Sequence, residues 1–514
     1  MSSNDAVGPA SGGFEAEKSD ARHLEQQLYQ GLSEEDADFM ANYPLEKQKR
    51  AISKVDWRLI PMLLFLYLIT YLDKTNIGNA QIEGLLDSLH MDGTQYNIAV
   101  SVFFVPYILA EVPSNMILNK FTKPSTYIGI LVLGWGIIMI LTGVVKDFGG
   151  LIAVRLLLGL FEAGFFPGAI LLISQWYLPN ESQSRIALLY SSAASGGAFS
   201  GLLAYAIAKL NGVGGLEGWR WIFILEGLLT VVMGVACFFL LVDSPALSSW
   251  WLDQDEIRFL ELRQAARRAQ HPDGYSEKHF DLGALIQVIK DWKMYLLVFG
   301  SWSNAVPNYA LKFTLPAIIT SMGFTSSNAQ LLTIPPYAAG AISAYAVSVF
   351  ADKFQWRMPF IVGPQTAVIV GFVILFVKAA DIKNNIALCY FAVVLVCAGL
   401  YPIFPGVNAW NIANSAPAAK RAVSIGYLIA AGNIGGLVGS YIYMAKERPR
   451  YPTGYGTSLG FTAAGLVAMV ALEAALKAAN KRDAKLTEAE VRQKYSDEQL
   501  EKLGDRSPLF RYTL

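Results

Sequence analysis

The sequence is poor in charge and in cysteine for its length. Only 16% of its 514 residues are charged and 54% are hydrophobic, whereas soluble domains carry about 25% charged residues. The 41 basic and 41 acidic residues balance, so the charge does not favour nucleic acid as a partner. The three cysteines lie inside apolar stretches, which argues against a disulfide framework. This composition excludes an ordinary soluble domain.

The usual elements of an enzyme active site are also missing. The four histidines lie outside the apolar stretches, and the sequence contains no recognisable nucleophile–base pair, phosphate-binding loop or group of metal ligands. We therefore expect no enzyme, no cofactor and no metal site. The first fifty residues lack the apolar core of a secretory signal, so we also expect no cleaved signal peptide.

What the sequence has instead is a series of apolar segments of about 20 residues, the length needed to cross ~30 Å of hydrocarbon. They fall into two groups of six around a polar central segment. The sequence therefore predicts an all-α membrane protein with 12 transmembrane helices in two six-helix halves. The predicted spans, numbered 1 to 12 in chain order, are 57–78, 95–117, 125–145, 149–172, 186–209, 219–242, 292–312, 328–351, 358–378, 385–407, 422–443 and 457–478.

The polar segments divide the chain into five regions. They are a disordered tail (1–42), a first half (43–242), a central loop (243–291), a second half (292–479) and a C-terminal tail (480–514). Lysine and arginine concentrate before span 1, in the central loop, after spans 8 and 10 and in the C-terminal tail. Because positive residues favour the cytoplasmic side, we predict that both termini are cytoplasmic. The basic loop after span 11 is an exception to this pattern.

Two parallel six-helix halves are typical of transporters whose binding site lies between them. A short internal repeat supports this interpretation: the sequence NKF at 119–121, after span 2, corresponds to DKF at 352–354, after span 8.

Four charged residues mark the candidate site. Arg155 and Glu162 lie seven residues apart in span 4, close to two helical turns, so they share one helix face. The topology brings Asp73 and Lys74 of span 1 close to their level. Charges inside a membrane are costly and usually face an internal site. The charges of these two cations and two carboxylates sum to zero when all four are ionised. A proton on one carboxylate would give this layer of four charges a net positive charge. This arrangement could couple a proton to an anion.

Other interpretations of these residues remain open. One is that Arg155 only locks spans 1 and 4 together by pairing with Asp73 or Glu162, and we favour such a holding role over substrate contact. Lys74 could instead extend to the membrane surface. We place Glu111 of span 2 at the inner gate rather than at the site.

The second half has few charges within its spans but several amides. Asn308 lies in span 7, Asn408 and Trp410 follow a proline-rich kink in span 10, and Asn433 lies in span 11. A lone membrane asparagine more often joins helices than binds a ligand. Both roles are open for these residues.

Four motifs of the first half are distinctive: YLDKTNIGNA in span 1, FFVPYILAEVPSN in span 2, RLLLGLFEAGFFPGAILLISQWY in span 4 and GWRWIFILEGLLT in span 6. With these motifs the chain resembles the anion:cation symporter family of the major facilitator superfamily, and within it the fungal allantoate-permease group. The resemblance covers about residues 42–480. It implies the major facilitator fold.

The resemblance implies a function as well. We expect a monomeric symporter in a fungal plasma membrane that imports a small organic anion, such as nicotinate, pantothenate or allantoate, together with protons. Two alternatives are an exporter of a secondary-metabolite acid and a nutrient sensor with a transporter fold.

The resemblance further implies roles for single residues. Asp73 and Glu162 would carry the proton, with Arg155 tied to them, and Lys74 stands where many relatives have an arginine that meets the anion. Combined with the amides above, the candidate substrate-binding residues are Lys74, Tyr71, Tyr107, Asn308, Asn408, Trp410 and Asn433, and the candidate gate residues are Asp352, Lys353 and Arg357.

Overall fold

The computed structural model of the protein describes residues 32–118, 120–270, 282–354, 356–416, 418–496, 499–500 and 503–514. Within these residues the regular secondary structure is helical, and no strand occurs. Helices coincide with all 12 predicted spans, so the all-α fold is confirmed.

Several helices, among them those of spans 1, 5, 7, 10 and 12, are longer than the hydropathy predicted, because the helix continues past the apolar stretch. Span 1, for example, begins at Leu45 rather than at residue 57. Spans 2, 4 and 8 are each built from two helical pieces. In chain order the helices are Leu45–Ile82, Gly93–Val102 with Phe104–Leu118, Pro124–Thr142, Phe148–Glu162 with Phe165–Trp176, Pro179–Ala208, Gly218–Leu240, Trp292–Ser321, Ser326–Leu331 with Ile334–Phe354, Pro359–Lys378, Ile386–Ala413, Ala418–Ile442 and Pro452–Asp483.

In the described part of the chain, 9 helical segments are long and apolar enough to cross a membrane when the two pieces of span 4, and those of span 8, are taken together. Spans 2, 5 and 7 fall short of this measure. Span 7 also corrects a predicted boundary. It was expected to end at Lys312, where a charge closes the hydropathy window, but the helix continues to Ser321. Lys312 therefore lies inside the span.

Each half has its own apolar core. The first core is built almost entirely from residues before 261, and the second from residues after 287. The halves meet where span 1 packs on span 7, span 5 on span 8 and span 2 on span 11. A site between the halves is therefore lined by both six-helix units.

The N-terminal segment and the central segment lie together at one end of the bundle, which we call the terminal face. Arg258 of the central helix Gln254–Gln270 donates to Asp36 (Nη2–Oδ1 2.7 Å). Asp36 belongs to a helix, Glu34–Asn42, whose first turn is capped by the Ser33 hydroxyl. This part of the tail was predicted to be disordered, and that prediction is wrong for 34–42 because the cap and Arg258 stabilise a helix. Residues 1–31 lie outside the described residues.

The C-terminal tail also folds back onto the terminal face, against the second half. Asp505 is buried between Lys293 and Lys420, and its distance from the Lys420 ammonium is 2.8 Å. At the end of the chain, the carbonyl of Leu514 accepts a hydrogen bond from the Arg357 amide (2.7 Å). The tail thus spans the surface between span 7 and the loop after span 8.

Hydrogen bonds join the two halves at the other end of the bundle, which we call the opposite face. They run from span 2 to spans 7 and 11, and from the end of span 1 to span 8. The pairs are Tyr96 to the Phe313 carbonyl (3.2 Å), Ser101 to Tyr441 (2.9 Å), Ser326 to the Ile82 carbonyl (3.0 Å) and Gln330 to Glu83 (3.0 Å). These contacts close the opposite face.

Candidate functional site

The centre of the candidate site is an ion pair between spans 1 and 4. Lys74 Nζ lies 2.6 Å from Glu162 Oε1, and the carboxylate side chain is 1% exposed. Within the described residues, neither oxygen of Glu162 makes a well-directed hydrogen bond. The aromatic ring of Tyr107 lies beside the ammonium, 4.6 Å from Nζ to the ring centre. The charge of Glu162 is therefore compensated chiefly by Lys74.

Two glycines bring span 4 close enough to span 2 to form this arrangement. A Cβ added at Gly159 would lie 2.2 Å from the Phe103 carbonyl oxygen, and one at Gly164 would lie 1.9 Å from Ser114 Oγ. Larger residues would push the two spans apart. Glu162 lies between these two contacts, at the end of the first helical piece of span 4.

Arg155 does not form the ion pair expected with Asp73 or Glu162. Its Nε donates to the Ala99 carbonyl (3.1 Å), and its guanidinium lies 5.3 Å from the centre of the Phe103 ring. The Ala99 carbonyl can accept this hydrogen bond because the first helical piece of span 2 ends just beyond it, at Val102. Arg155 therefore binds the break in span 2, while Lys74 takes Glu162.

Asp73 lies apart from this pair, although it is next to Lys74 in the sequence. Successive helix residues point about 100° apart, and Asp73 turns into the first half, where it is fully buried. Its Oδ2 accepts from Trp135 Nε1 (2.7 Å) and Thr230 Oγ1 (3.2 Å), and Oδ1 has no partner in the described residues. The predicted layer of four charges is thus an ion pair with two separate charged residues near it.

Lys312 of span 7 is a site residue that the sequence analysis missed. It is 5% exposed, and its Nζ lies 3.6 Å from the ring centre of Tyr71 in span 1. The Tyr71 hydroxyl is in turn 2.7 Å from that of Tyr401 in span 10. Lys312 could have been found by extending span 7 through the apolar residues 313–319, which continue the helix beyond the lysine.

Asn433 joins the halves near this site. Its Oδ1 accepts from the Tyr309 hydroxyl (3.3 Å), and its Nδ2 lies 3.5 Å from Glu111 Oε2. Glu111 was expected at the inner gate, but it meets span 11 because its side chain faces the second half. A further buried carboxylate of the first half, Glu226 of span 6, accepts a hydrogen bond from Asn76 of span 1 (2.5 Å) and so joins these two helices.

The structure does not bring the span 10 candidates into the site. Trp410 is 1% exposed, and its Nε1 donates to the Thr513 carbonyl (2.9 Å), so the C-terminal tail covers it. A contact between Trp410 and substrate would require the tail to move away, and it stays a prediction. Asn408 donates to Phe404 in its own helix (2.9 Å). Asn308, by contrast, lies one turn before Lys312 and is half-buried.

The candidate gate residues lie at the terminal face, around the end of span 8. Lys353 is exposed, and the Arg357 amide is bound by the carbonyl of the last residue, Leu514. The side chain of Asp352 lies outside the described part of the structure. A gating role for these residues stays a prediction.

Comparison with known proteins gives consistent matches. The model of the family described as Major Facilitator Superfamily matches residues 63–440. The chain is 37% identical over 475 residues to the MFS-type transporter cnsO of Penicillium expansum, covering 91% of each protein. It is 34% identical over 443 residues to the high-affinity nicotinic acid transporter of Saccharomyces cerevisiae, covering 85% of this chain and 79% of that one.

Among solved structures, the xylose transporter XylE from E. coli superposes with a TM-score of 0.60 at 13% identity, covering 80% of this chain and 97% of that one. At this identity the similarity concerns the fold alone.

Proposed function

Because the chain belongs to the major facilitator superfamily, we propose that it is a proton-coupled symporter that imports a small organic anion through the plasma membrane. Family membership makes it a multi-pass membrane transporter rather than an enzyme. The proposal of proton-coupled anion symport rests on the buried Lys74–Glu162 ion pair between spans 1 and 4.

This ion pair can couple the two solutes through charge balance. A proton on a Glu162 oxygen removes the charge that Lys74 faces at 2.6 Å, and leaves a buried ammonium without a partner. An unpaired buried charge costs several kcal/mol. An anion that binds Lys74 removes this cost. Proton and anion therefore favour each other's binding, and the loaded pair of sites has the same net charge as the empty one.

Asp73 and Arg155 have supporting roles in this scheme. Asp73 is the second proposed proton site: a proton on its free Oδ1 would leave the hydrogen bonds from Trp135 and Thr230 to Oδ2 in place. Arg155 is a positioning residue, because it holds the broken part of span 2 against span 4.

The substrate we propose is a carboxylate of the vitamin or nitrogen-source type, such as nicotinate, pantothenate or allantoate. The motifs of the allantoate-permease group and the 34% identity to a nicotinic acid transporter support this class. Lysine is a compact point charge that does not impose the paired geometry of arginine. The rings of Tyr107 and Tyr71 beside the two lysines suit a flat or apolar substrate body.

The orientation follows from the basic residues. We place the terminal face in the cytoplasm, because the flank before span 1, the central segment and the C-terminal tail carry most of the lysine and arginine outside the spans. The gate residues Asp352, Lys353 and Arg357 would then act at the cytoplasmic entrance.

An uptake assay tests the coupling. Yeast lacking its own carboxylate permeases would express the wild type or Glu162→Gln, and accumulation of labelled nicotinate, pantothenate and allantoate would be measured against external pH. We expect the wild type to concentrate one of them, and an uncoupler to abolish this. Glu162→Gln should still exchange bound substrate but lose accumulation, because glutamine imitates the protonated state. Glu261→Gln, in an exposed position of the central helix, is the matched control.

The same assay separates the alternatives. If the wild type and Glu162→Gln concentrate substrate equally with the proton gradient collapsed, the coupling proposal is wrong. Net efflux from preloaded cells would indicate an exporter. A growth response to an anion that never enters the cell would indicate a sensor.

A further inference from the structure

Lys312 is a buried lysine that forms no salt bridge within the described residues, although the charge of Glu162 acts on it from a longer distance. It is 5% exposed and lies inside span 7, with no carboxylate within 4 Å in the described residues. Its close contact is the face of Tyr71, across the boundary between the halves. Lys74, by comparison, has both an aromatic neighbour and the carboxylate of Glu162.

A role that is only structural does not account for this difference. A contact between a cation and an aromatic ring recovers less free energy than the removal of an ammonium from water costs. If Lys312 served only to fill the space beside Tyr71, an apolar residue of similar length would be more stable there. A buried lysine without a partner is instead suited to a partner that arrives with the ligand.

The two lysines also occupy equivalent positions in the sequence of the two halves. Span 1 contains YLDK at 71–74, and span 7 contains YALK at 309–312, each in the first span of its half. In both cases the tyrosine precedes the lysine by three residues, so the two side chains lie on one face of the helix. Lys74 points to Glu162 and Tyr107 of the first half, whereas Lys312 crosses to Tyr71. The lysines thus meet different groups.

We propose that, among organic anions, the preferred substrate is a dianion rather than a monocarboxylate such as nicotinate, with one acidic group bound by Lys74 and the other by Lys312. This inference rests on the proposed function, in which Lys74 receives an anion when Glu162 takes a proton. A single carboxylate on Lys74 would leave Lys312 without an ion-pair partner. A second acidic group supplies this partner, and also ties span 1 of the first half to span 7 of the second. Asn308, one turn before Lys312 and half-buried, lies on the same helix face and can donate to the second group.

Equilibrium binding to the full-length purified protein tests this without requiring transport. The probes are matched pairs that differ in one carboxylate: pyridine-3-carboxylate against pyridine-2,3-dicarboxylate, and pentanoate against pentanedioate. Binding is measured near pH 6, where both carboxylates of each dicarboxylate probe are still largely ionised, by ligand-induced shifts in the melting temperature. We expect at least one dicarboxylate to bind the wild type more tightly than the matched monocarboxylate, by roughly tenfold or more. This is the gain in affinity that one charge-assisted hydrogen bond provides.

Variants of Lys312 distinguish the effect of its charge on binding from a general disturbance of the structure. Lys312→Gln should lower the dicarboxylate's affinity much more than the monocarboxylate's, so that the preference between the two is lost, whereas Lys312→Arg should keep the preference. Lys209→Gln is the control, because Lys209 also lies on a tyrosine ring, Tyr205 (4.6 Å), but is exposed.

The outcomes also distinguish this inference from the proposed function. If monocarboxylates bind as tightly as dicarboxylates, or if Lys312→Gln weakens both classes equally, the dianion proposal is overturned and anion symport stands. If no carboxylate binds but a neutral amide analogue does, the proposed function falls with it. The wild-type comparison decides the question even if Lys312→Gln does not fold.

Discussion

Lys420 Nζ lies 2.8 Å from Oδ2 of Asp505, and both residues are almost completely buried, at 2% and 1% exposure. Lys293 contacts the same carboxylate, and Lys420 also lies 2.6 Å from Asp291. The four charges join the start of span 7, the start of span 11 and the C-terminal tail. The tail is thereby fixed to the second half.

Replacement of Asp505 by asparagine should release the tail. Two buried ammonium groups would then share the single carboxylate of Asp291, and breaking a buried ion pair costs roughly 3–5 kcal/mol. We expect a lower melting temperature and faster protease cleavage after residue 483. Asp87→Asn, at an exposed position, is the control. Unchanged cleavage in Asp505→Asn would mean that the tail is held by other contacts.

Replacement of Trp410 by phenylalanine tests whether this residue contacts substrate. Phenylalanine fills most of the same volume but cannot donate to Thr513. We expect the KM of uptake to stay within about twofold of the wild-type value. We also expect the free energy that holds the C-terminal tail on the second half to fall by about 1 kcal/mol, the contribution of one hydrogen bond. A large rise in KM, with the tail still protected from protease, would restore Trp410 to the binding site.

Replacement of Gly159 by alanine should disrupt the site from outside it. The new Cβ would lie 2.2 Å from the Phe103 carbonyl, a backbone atom that cannot rotate away. We expect a loss of stability of about 1–3 kcal/mol from overpacking, with weaker anion binding because Glu162 moves. Gly460→Ala, at an open position in span 12, should have no such effect. Equal melting temperatures for the two variants would show that spans 2 and 4 can separate freely.

Docking of the helix Glu34–Asn42 should depend on pH. The Ser33 hydroxyl and Arg258 hold the pKa of Asp36 below its ordinary value of 3.8. Because the pKa of Asp36 is lowered in the docked state, its carboxylate contributes fully to docking above the ordinary pKa. This contribution disappears as the pH falls through the lowered pKa. We therefore expect constant docking from neutral pH to about pH 5 and weaker docking below about pH 4.

Spin labels at positions 38 and 261, both exposed, would measure this docking as a distance distribution. Asp36→Asn should broaden the distribution already at neutral pH and remove the acid-dependent change. A wild-type distribution that stays narrow at pH 3 would contradict the prediction.

The sequence predicted the number and order of the spans well, because each needs about 20 apolar residues and this requirement is local. It failed at Lys312 and at residues 34–42 for the opposite reason. A charge within a span is tolerated when another helix covers it, and a short polar helix forms when a distant arginine binds it. Neither partner can be identified from neighbouring residues.

The sequence by itself therefore determined the membrane class, the two halves and the identity of Lys74 and Glu162 as charges that require a partner. Only the tertiary structure decided which partner each charge takes. Arg155 and Lys74 were both available to Glu162, and the break in span 2 settled the choice by offering Arg155 the Ala99 carbonyl. The rotation of about 100° between neighbouring helix residues separated Asp73 from Lys74. The physical reason is that hydropathy depends on composition along the chain, whereas ion pairing depends on distances between helices.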